Sequence, residues 1–197
     1  LILEIYTDGS GTSAGNPAGW AYVIVANGKA LAEKSGRIEA GTNNDAELEA
    51  ALQGLEDLDT RLTMAVRPDS VELVLVSDSQ LVLGWASGRF RCKQDAKRQK
   101  VERLWKLYKK LGCTQRWVRG HSGNPYNERC DVLAGAARLG EEPKDKRRLT
   151  RIGGKKDGVV MLKRGTAVKL VDLEANRVED YNPSLHGDRS GDDCITV

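Results

Sequence analysis

Apolar positions divide the chain into a β-rich opening and a later alternation of helices and strands. Leu1 to Thr7 reads as a strand that closes at Gly9, Trp20 to Ala26 as a second and Lys29 to Arg37 as a third. Asn27-Gly28 lies between the last two and is a strong hairpin signal. The opening is therefore an antiparallel meander. From Asn43 to Leu58 the period changes: Leu48, Ala51, Leu52, Leu55 and Leu58 fall at helical spacing. Thr42, Asn43 and Asn44 can cap the start of that helix. Val71 to Val76 is a short, nearly continuous apolar run, as expected of a buried central strand. Ser77-Asp78-Ser79 follows it and opens a helix from Gln80 to about Ala86. Asp95 to Leu111 is a longer helix, with Val101, Leu104, Trp105, Tyr108 and Leu111 on one side and Gly112 as its stop. Thr114 to Val118 is a fifth strand, Gly120 to Pro125 a loop, and Asn127 to Leu139 the last helix of this unit.

This order predicts an α/β fold: a mixed five-stranded sheet, three antiparallel strands followed by parallel ones, flanked by helices. Composition changes after Gly140. Lys144 to Arg151 is basic without an apolar period, and Gly158 to Arg164, Ala167 to Leu173 and Arg177 to Tyr181 read as short strands with turns at Gly165 and Asn176. From Glu142 to Arg164 nine basic residues face three acidic ones, and from Gly165 to Val197 seven acidic residues face three basic ones. The expected division is a main domain over residues 1–140, a basic linker over 141–157 and a small β-rich extension over 158–197. Three short strands alone are marginally stable.

A net charge of +3 hides a local excess. Ten basic residues lie between Arg89 and Lys110, opposed only by Asp95 and Glu102. Such a segment either attracts a polyanion through counterion release or forms a solvated helix face. The four cysteines form no Cys-x-x-Cys pair, and with His121 and His186 as the only histidines a structural zinc site is not expected. Scattered thiols and the lack of an export signal at the N-terminus point to the cytoplasm. No apolar run approaches the ~20 residues of a membrane helix, so no membrane association is expected, and we expect a monomer. The chain opens on Leu1 instead of Met, which fits a trimmed chain or one cut from a longer protein.

Four acids carry the candidate chemistry. Asp8 and Asp78 follow apolar runs; Glu47 and Asp131 sit in the first turns of helices. If the first and fourth strands run parallel through the sheet centre, both aspartates lie at or just past their carboxyl ends, where α/β sheets commonly place ligands. Taken singly, each acid has an ordinary role as a turn residue, a helix cap or a surface charge. Taken together, carboxylates from four elements make a cradle for Mg²⁺, with Mn²⁺ as a substitute. Two such ions about 4 Å apart can clamp both oxygens of an in-line phosphoryl displacement.

The strings around these acids resemble type 1 ribonuclease H: Tyr6-Thr7-Asp8-Gly9-Ser10, Gly15-Asn16-Pro17, Thr42-Asn43-Asn44 with Glu47-Leu48, Ser77-Asp78-Ser79-Gln80, Trp117-Val118-Arg119-Gly120-His121-Ser122-Gly123 and Asn127-Glu128-Arg129-Cys130-Asp131. The resemblance runs from about Ile2 to Leu139. It implies a ribonuclease H-like sheet and an enzyme that cuts the RNA strand of an RNA–DNA hybrid, leaving 5′-phosphate and 3′-hydroxyl ends. It implies that Asp8 bridges two metal ions, that Asp131 holds the ion activating water, and that Glu47 and Asp78 hold the ion at the leaving 3′ oxygen. His121 falls on the loop that assists proton movement or product departure. Asn16, Asn43, Asn44 and Gln80 match positions lining the hybrid's minor groove, where 2′-hydroxyls distinguish RNA from DNA. Thr42 resembles a residue that helps hold a DNA-strand phosphate.

The chain departs from the family pattern in three places. Asp45 stands where some members carry a basic phosphate contact. The interval from Asp78 to the helix around Val101 is too short for the additional basic protrusion of some members; residues Arg89 to Lys100 are candidates to replace it, with Phe90 or Trp85 as an aromatic surface, although Trp85 on its apolar helix reads first as core. The tail after Gly140 matches no part of the family. Two rival readings remain: an enzyme of the same fold with another substrate, as in integrases, resolvases or proofreading exonucleases, and a hybrid-binding module without catalysis. The groove amides and the loop His121 oppose the first, and the intact set of acids opposes the second.

Overall fold

A computed structural model describes residues 1–64 and 71–143, together with the backbone of strands 159–164, 167–172, 177–180 and 194–196. The first three strands are β1 (Ile2–Ser10), β2 (Ala18–Ala26) and β3 (Lys29–Ile38). They are followed by α1 (Asn43–Met64), β4 (Glu72–Ser77), α2 (Gln80–Ala86), α3 (Asp95–Leu111), β5 (Thr114–Trp117) and α4 (Pro125–Leu139). The expected five-stranded mixed sheet forms in the order β3-β2-β1-β4-β5. The meander β1–β2–β3 is antiparallel, whereas β4 and β5 add in parallel.

Strand alternation sorts the core into two layers. Leu3 and Ile5 of β1, Tyr22 and Ile24 of β2, and Leu73 and Leu75 of β4 pack against Leu48, Leu52 and Leu55 of α1 and Leu104 and Leu111 of α3. On the opposite face Tyr6, Val23, Val25, Val74 and Val76 meet Cys130, Leu133 and Ala134 of α4. β2 is buried along its whole length, because it lies inside the sheet with helices on both faces.

Several boundaries moved. α1 runs on to Met64, beyond the last leucine of its apolar stripe. β1 does not close at Gly9 but runs to Ser10, because Asp8, Gly9 and Ser10 stay paired with β2. Trp105 is not on the buried side of α3: Val101, Leu104, Tyr108 and Leu111 fill that stripe, and Trp105 is 40% exposed. Trp85 is core, while Phe90 is exposed.

The tail forms a second sheet in the order β8-β7-β6-β9. Its strands are β6 (Val159–Arg164), β7 (Ala167–Asp172), β8 (Arg177–Asp180) and β9 (Cys194–Thr196). The expected meander is present, and β9 adds a fourth strand parallel to β6 that no local pattern announced. The basic stretch Lys144–Arg151 and the turns at Gly165 and Asn176 lie outside the described residues. Among the described residues, no helix is long and apolar enough to cross a membrane.

Candidate active site

The parallel pairing of β1 with β4 ends at Thr7 opposite Ser77. Asp8 and Asp78 are the next residues on each strand and so emerge side by side where that pairing stops. Glu47 arrives from the second turn of α1. Its approach depends on Gly9, since a Cβ there would lie 2.4 Å from the Glu47 backbone nitrogen. Any other residue at Gly9 would push α1 off the strand. One carboxylate oxygen from each of Asp8, Glu47 and Asp78 lies within 4.8 Å of the others.

The three acids have no cationic partner among the described residues and meet neutral donors only, with the Gly9 N–H reaching Glu47 as well as Asp8. The Gly9 N–H donates to Asp8 Oδ1 at 2.7 Å, Asn43 Nδ2 to Glu47 Oε1 at 3.3 Å, and Asn127 Nδ2 to Asp78 Oδ2 at 3.5 Å. Asp8 and Glu47 are buried. Burial, followed by the charges of Asp78 and Asp131, pushes the Asp8 carboxyl up to about 8 against the pull of the Gly9 N–H. Burial and then the charges of Asp8 and Asp78 hold Glu47 well above its ordinary range. Glu47 Oε2 is buried without a hydrogen-bond partner. An all-oxygen donor set with an orphaned buried carboxylate oxygen fits a hard divalent cation.

Asp131 is half-buried on α4 and lies outside the tight trio, although its charge reaches Asp8. His121 sits on the β5–α4 loop, exposed, with Nδ1 3.7 Å from Asp131 Oδ2. Its φ of +51° places it in the left-handed region, where a short loop turns back toward α4. Gly120 beside it is required by close approach: a Cβ there would lie 2.5 Å from Asp78 Oδ2.

The amides differ in how far they are engaged. Asn43 Oδ1 accepts from the Gly11 N–H at 2.9 Å while its Nδ2 serves Glu47, so it ties the β1–β2 loop to the site. Asn16 Nδ2 donates to Ser13 Oγ at 2.8 Å and to Thr12 Oγ1 at 3.3 Å inside the same loop. Asn44 and Gln80 are exposed, and their side chains have no protein partner among the described residues. Thr42 donates from both N–H and hydroxyl to Asp45 Oδ2, at 2.8 and 2.6 Å.

Beyond the expected set, the structure adds Asn127, Gly120 and Lys97. Asn127 stands four residues before Asp131, one turn along the same helix, and that spacing was the available signal. Lys97 comes from α3 to within 2.8 Å of Asp45 Oδ1 and 3.3 Å of Thr42 Oγ1. A basic group thus stands beside Asp45, supplied from another helix and paired with its carboxylate.

Comparison with known proteins agrees with this geometry. A family model described as RNase H matches residues 2–138. The chain belongs to the RNase H family. It is 38% identical over 137 residues to a ribonuclease H of Nitratidesulfovibrio vulgaris, covering 68% of this chain and 87% of that one. A ribonuclease H of Thiobacillus denitrificans is 39% identical over 139 residues, covering 68% and 90%. Among solved structures, LC11-RNase H1 isolated from compost superposes with a TM-score of 0.60 at 27% identity, covering 70% of this chain and 96% of that one. RNase H1 from Halobacterium salinarum gives 0.57 at 28% identity, covering 70% and 97%. LC11-RNase H1 has also been solved in complex with an RNA/DNA hybrid, and that structure superposes with a TM-score of 0.59 at 26% identity, covering 70% and 97%. As an RNase H, this protein is a hydrolase.

Proposed function

We propose that this enzyme hydrolyses the RNA strand of RNA–DNA hybrids endonucleolytically, leaving 5′-phosphate and 3′-hydroxyl ends. The observation that carries the reading is the trio Asp8, Glu47 and Asp78, three uncompensated carboxylates within 4.8 Å of one another at the ends of the central parallel strands. Asp8 would be shared between two Mg²⁺ ions, Asp131 would hold the one on the attacking side, and Glu47 and Asp78 the one on the leaving side. When bound, such ions supply an activated water and stabilise the charge on the leaving oxygen. Mn²⁺ fits the same donors.

The chain's own groups do the rest. The neutral donors on Asp8, Glu47 and Asp78 orient the carboxylates without cancelling their charge. His121, exposed and next to Asp131, can pass a proton between the site and solvent. Asn44 and Gln80 are free to donate to and accept from 2′-hydroxyls, Asn16 retains its carbonyl, and Asn43 lines the same entrance while holding Glu47. The hybrid held by a related structure supports this substrate class. Free thiols at Cys92 and Cys130 are in keeping with a reducing cytoplasm. We assign the extension over residues 158–197 at most an accessory role in affinity or stability.

The test is a labelled RNA–DNA hybrid incubated with and without Mg²⁺, beside duplex DNA and duplex RNA, with end-group analysis of the products. Metal-dependent loss of the hybrid's RNA strand alone, with 5′-phosphate ends, is expected. Cutting of duplex DNA, or retention of the hybrid without cutting, would overturn the assignment.

A further inference from the structure

Asn127 is 2% exposed on α4. Its Nδ2 points at Asp78 Oδ2 from 3.5 Å, and its Oδ1 is buried with no hydrogen-bond partner. A buried amide with one unsatisfied oxygen is unfavourable for folding; an apolar side chain of the same shape would be neutral or better. Stability therefore does not explain why an amide occupies this position. Asp78 does: it is the least buried of the tight trio and shares its space with two like charges. Its backbone is already held, with Trp117 Nε1 donating to the Asp78 carbonyl oxygen at 2.9 Å. Its carboxylate leans on Gly120 and on Asn127. A lysine at Asn127 would neutralise the cradle, whereas an amide donates without charge.

We infer that Asn127 is a positioning residue that fixes the Asp78 carboxylate so that its other oxygen faces the bound divalent cation. It completes a pattern seen at all three acids, whose donors are neutral N–H groups only: Gly9 at Asp8 and Glu47, Asn43 at Glu47 and Asn127 at Asp78. Asn127 and Asp131 lie one helical turn apart, so α4 delivers an orienting donor to Asp78 and a charge toward Asp8 from a single face. Donors behind metal ligands typically change metal affinity or activity about 10- to 100-fold when removed. The inference rests on the metal-dependent reading above.

The experiment titrates the full chain with Mn²⁺ alone, reading free Mn²⁺ by electron paramagnetic resonance, and records thermal melts in EDTA. It uses wild type, Asn127→Leu, which keeps the branched outline at a larger volume and removes the donor, and Asn127→Ala. We expect both variants to bind Mn²⁺ about tenfold more weakly or worse, with the Asn127→Leu melt in EDTA unchanged or higher. A folded variant with wild-type Mn²⁺ affinity overturns the positioning role, and a lowered melt with unchanged affinity shows a purely structural residue. Wild type that binds no Mn²⁺ overturns the metal reading itself.

Discussion

Helix α1 carries two populations of carboxylates, and they are treated in opposite ways. Along its seam with α3, Asp45 meets Lys97 at 2.8 Å, Glu49 meets Lys100 at 2.7 Å, Glu56 meets Arg103 at 2.7 Å and Asp59 meets Lys110 at 2.7 Å. Two residues after Asp45, Glu47 turns away from that ladder toward Asp8 and Asp78 and meets no cation among the described residues. At the seam, the fold supplies each acid with a counterion, although burial and the charge of Glu49 still hold Glu56 above its ordinary range against Arg103. Burial opposes ionisation of Asp45, but bonds from Lys97 and Thr42 outweigh it and hold its carboxyl below the usual range. At the site, burial and like charge push Asp8 and Glu47 up. Acidity alone therefore does not mark the proposed catalytic centre; what sets its acids apart is that the fold leaves them without a cation.

The largest test of that contrast removes one charge from the unpaired set. Asp8→Asn should lower the hybrid cleavage rate at least about a thousandfold, the scale of several kcal/mol of transition-state charge stabilisation. A single-turnover assay with saturating Mg²⁺ measures this, and a near-normal rate would sink the role given to Asp8. The same variant should be no less stable than wild type in EDTA at pH 8, since it relieves repulsion among buried carboxylates.

The next test is pH. Asp8 is raised from 3.8 to about 8, so between those values the folded state binds more protons than the unfolded one. Stability must then fall as pH rises through this window; Glu47 acts with the same sign. Melting curves in EDTA should decline from pH 5 to pH 8, the decline should be shallower in Asp8→Asn, and saturating Mg²⁺ should flatten it in wild type by binding the native state. A metal-free stability that climbs with pH over this range would contradict the raised carboxyls.

Much of this arrangement was legible in the chain. The placement of Asp8 and Asp78 where the parallel pairing of β1 and β4 stops follows from two apolar runs ending at an aspartate. The order of the strings carried Glu47 and Asp131 with them. What was not legible depends on contacts between distant segments. The basic segment from Arg89 to Lys110 reads as one surface in sequence, yet Lys97, Lys100, Arg103 and Lys110 are spent on α1, and Arg98 and Lys106 on Asp95 and Glu102. Only Arg89, Arg91, Lys93 and Lys109 lack a carboxylate partner among the described residues. Three of these lie in the α2–α3 loop, where the Arg89 guanidinium stacks 5.8 Å from the ring of exposed Phe90. A hybrid strand drawn to this side would meet that loop, not the helix. Strand β9 was hidden because its three residues join the second sheet only by pairing with β6.

A smaller effect is expected where the two populations meet. Asp45 both caps α1 through Thr42 and holds Lys97. Asp45→Ala should therefore destabilise the protein by about 1–2 kcal/mol, the usual weight of a helix cap. Its cleavage rate at saturating hybrid should stay within about threefold of wild type, a difference under 1 kcal/mol. Urea unfolding gives the first number and steady-state kinetics the second. A collapse in rate with normal stability would move Asp45 from the compensated set into the site.

The smallest effect belongs to the outer rungs of the seam. Glu49 and Lys100 pair at 2.7 Å, but the Lys100 side chain is 53% exposed. Water and salt screen such a pair, and measured coupling for exposed pairs is about 0.2–1 kcal/mol. A double-mutant cycle with Glu49→Ala and Lys100→Ala should return a coupling in that range, fading as salt is raised. Cleavage should be unchanged in all three variants, because the pair faces away from Asp8 and carries none of its charge. A coupling well above that range, or one insensitive to salt, would mean the seam is electrostatically as dry as the site. The contrast between compensated and uncompensated acids would then rest on partners alone and not on solvent.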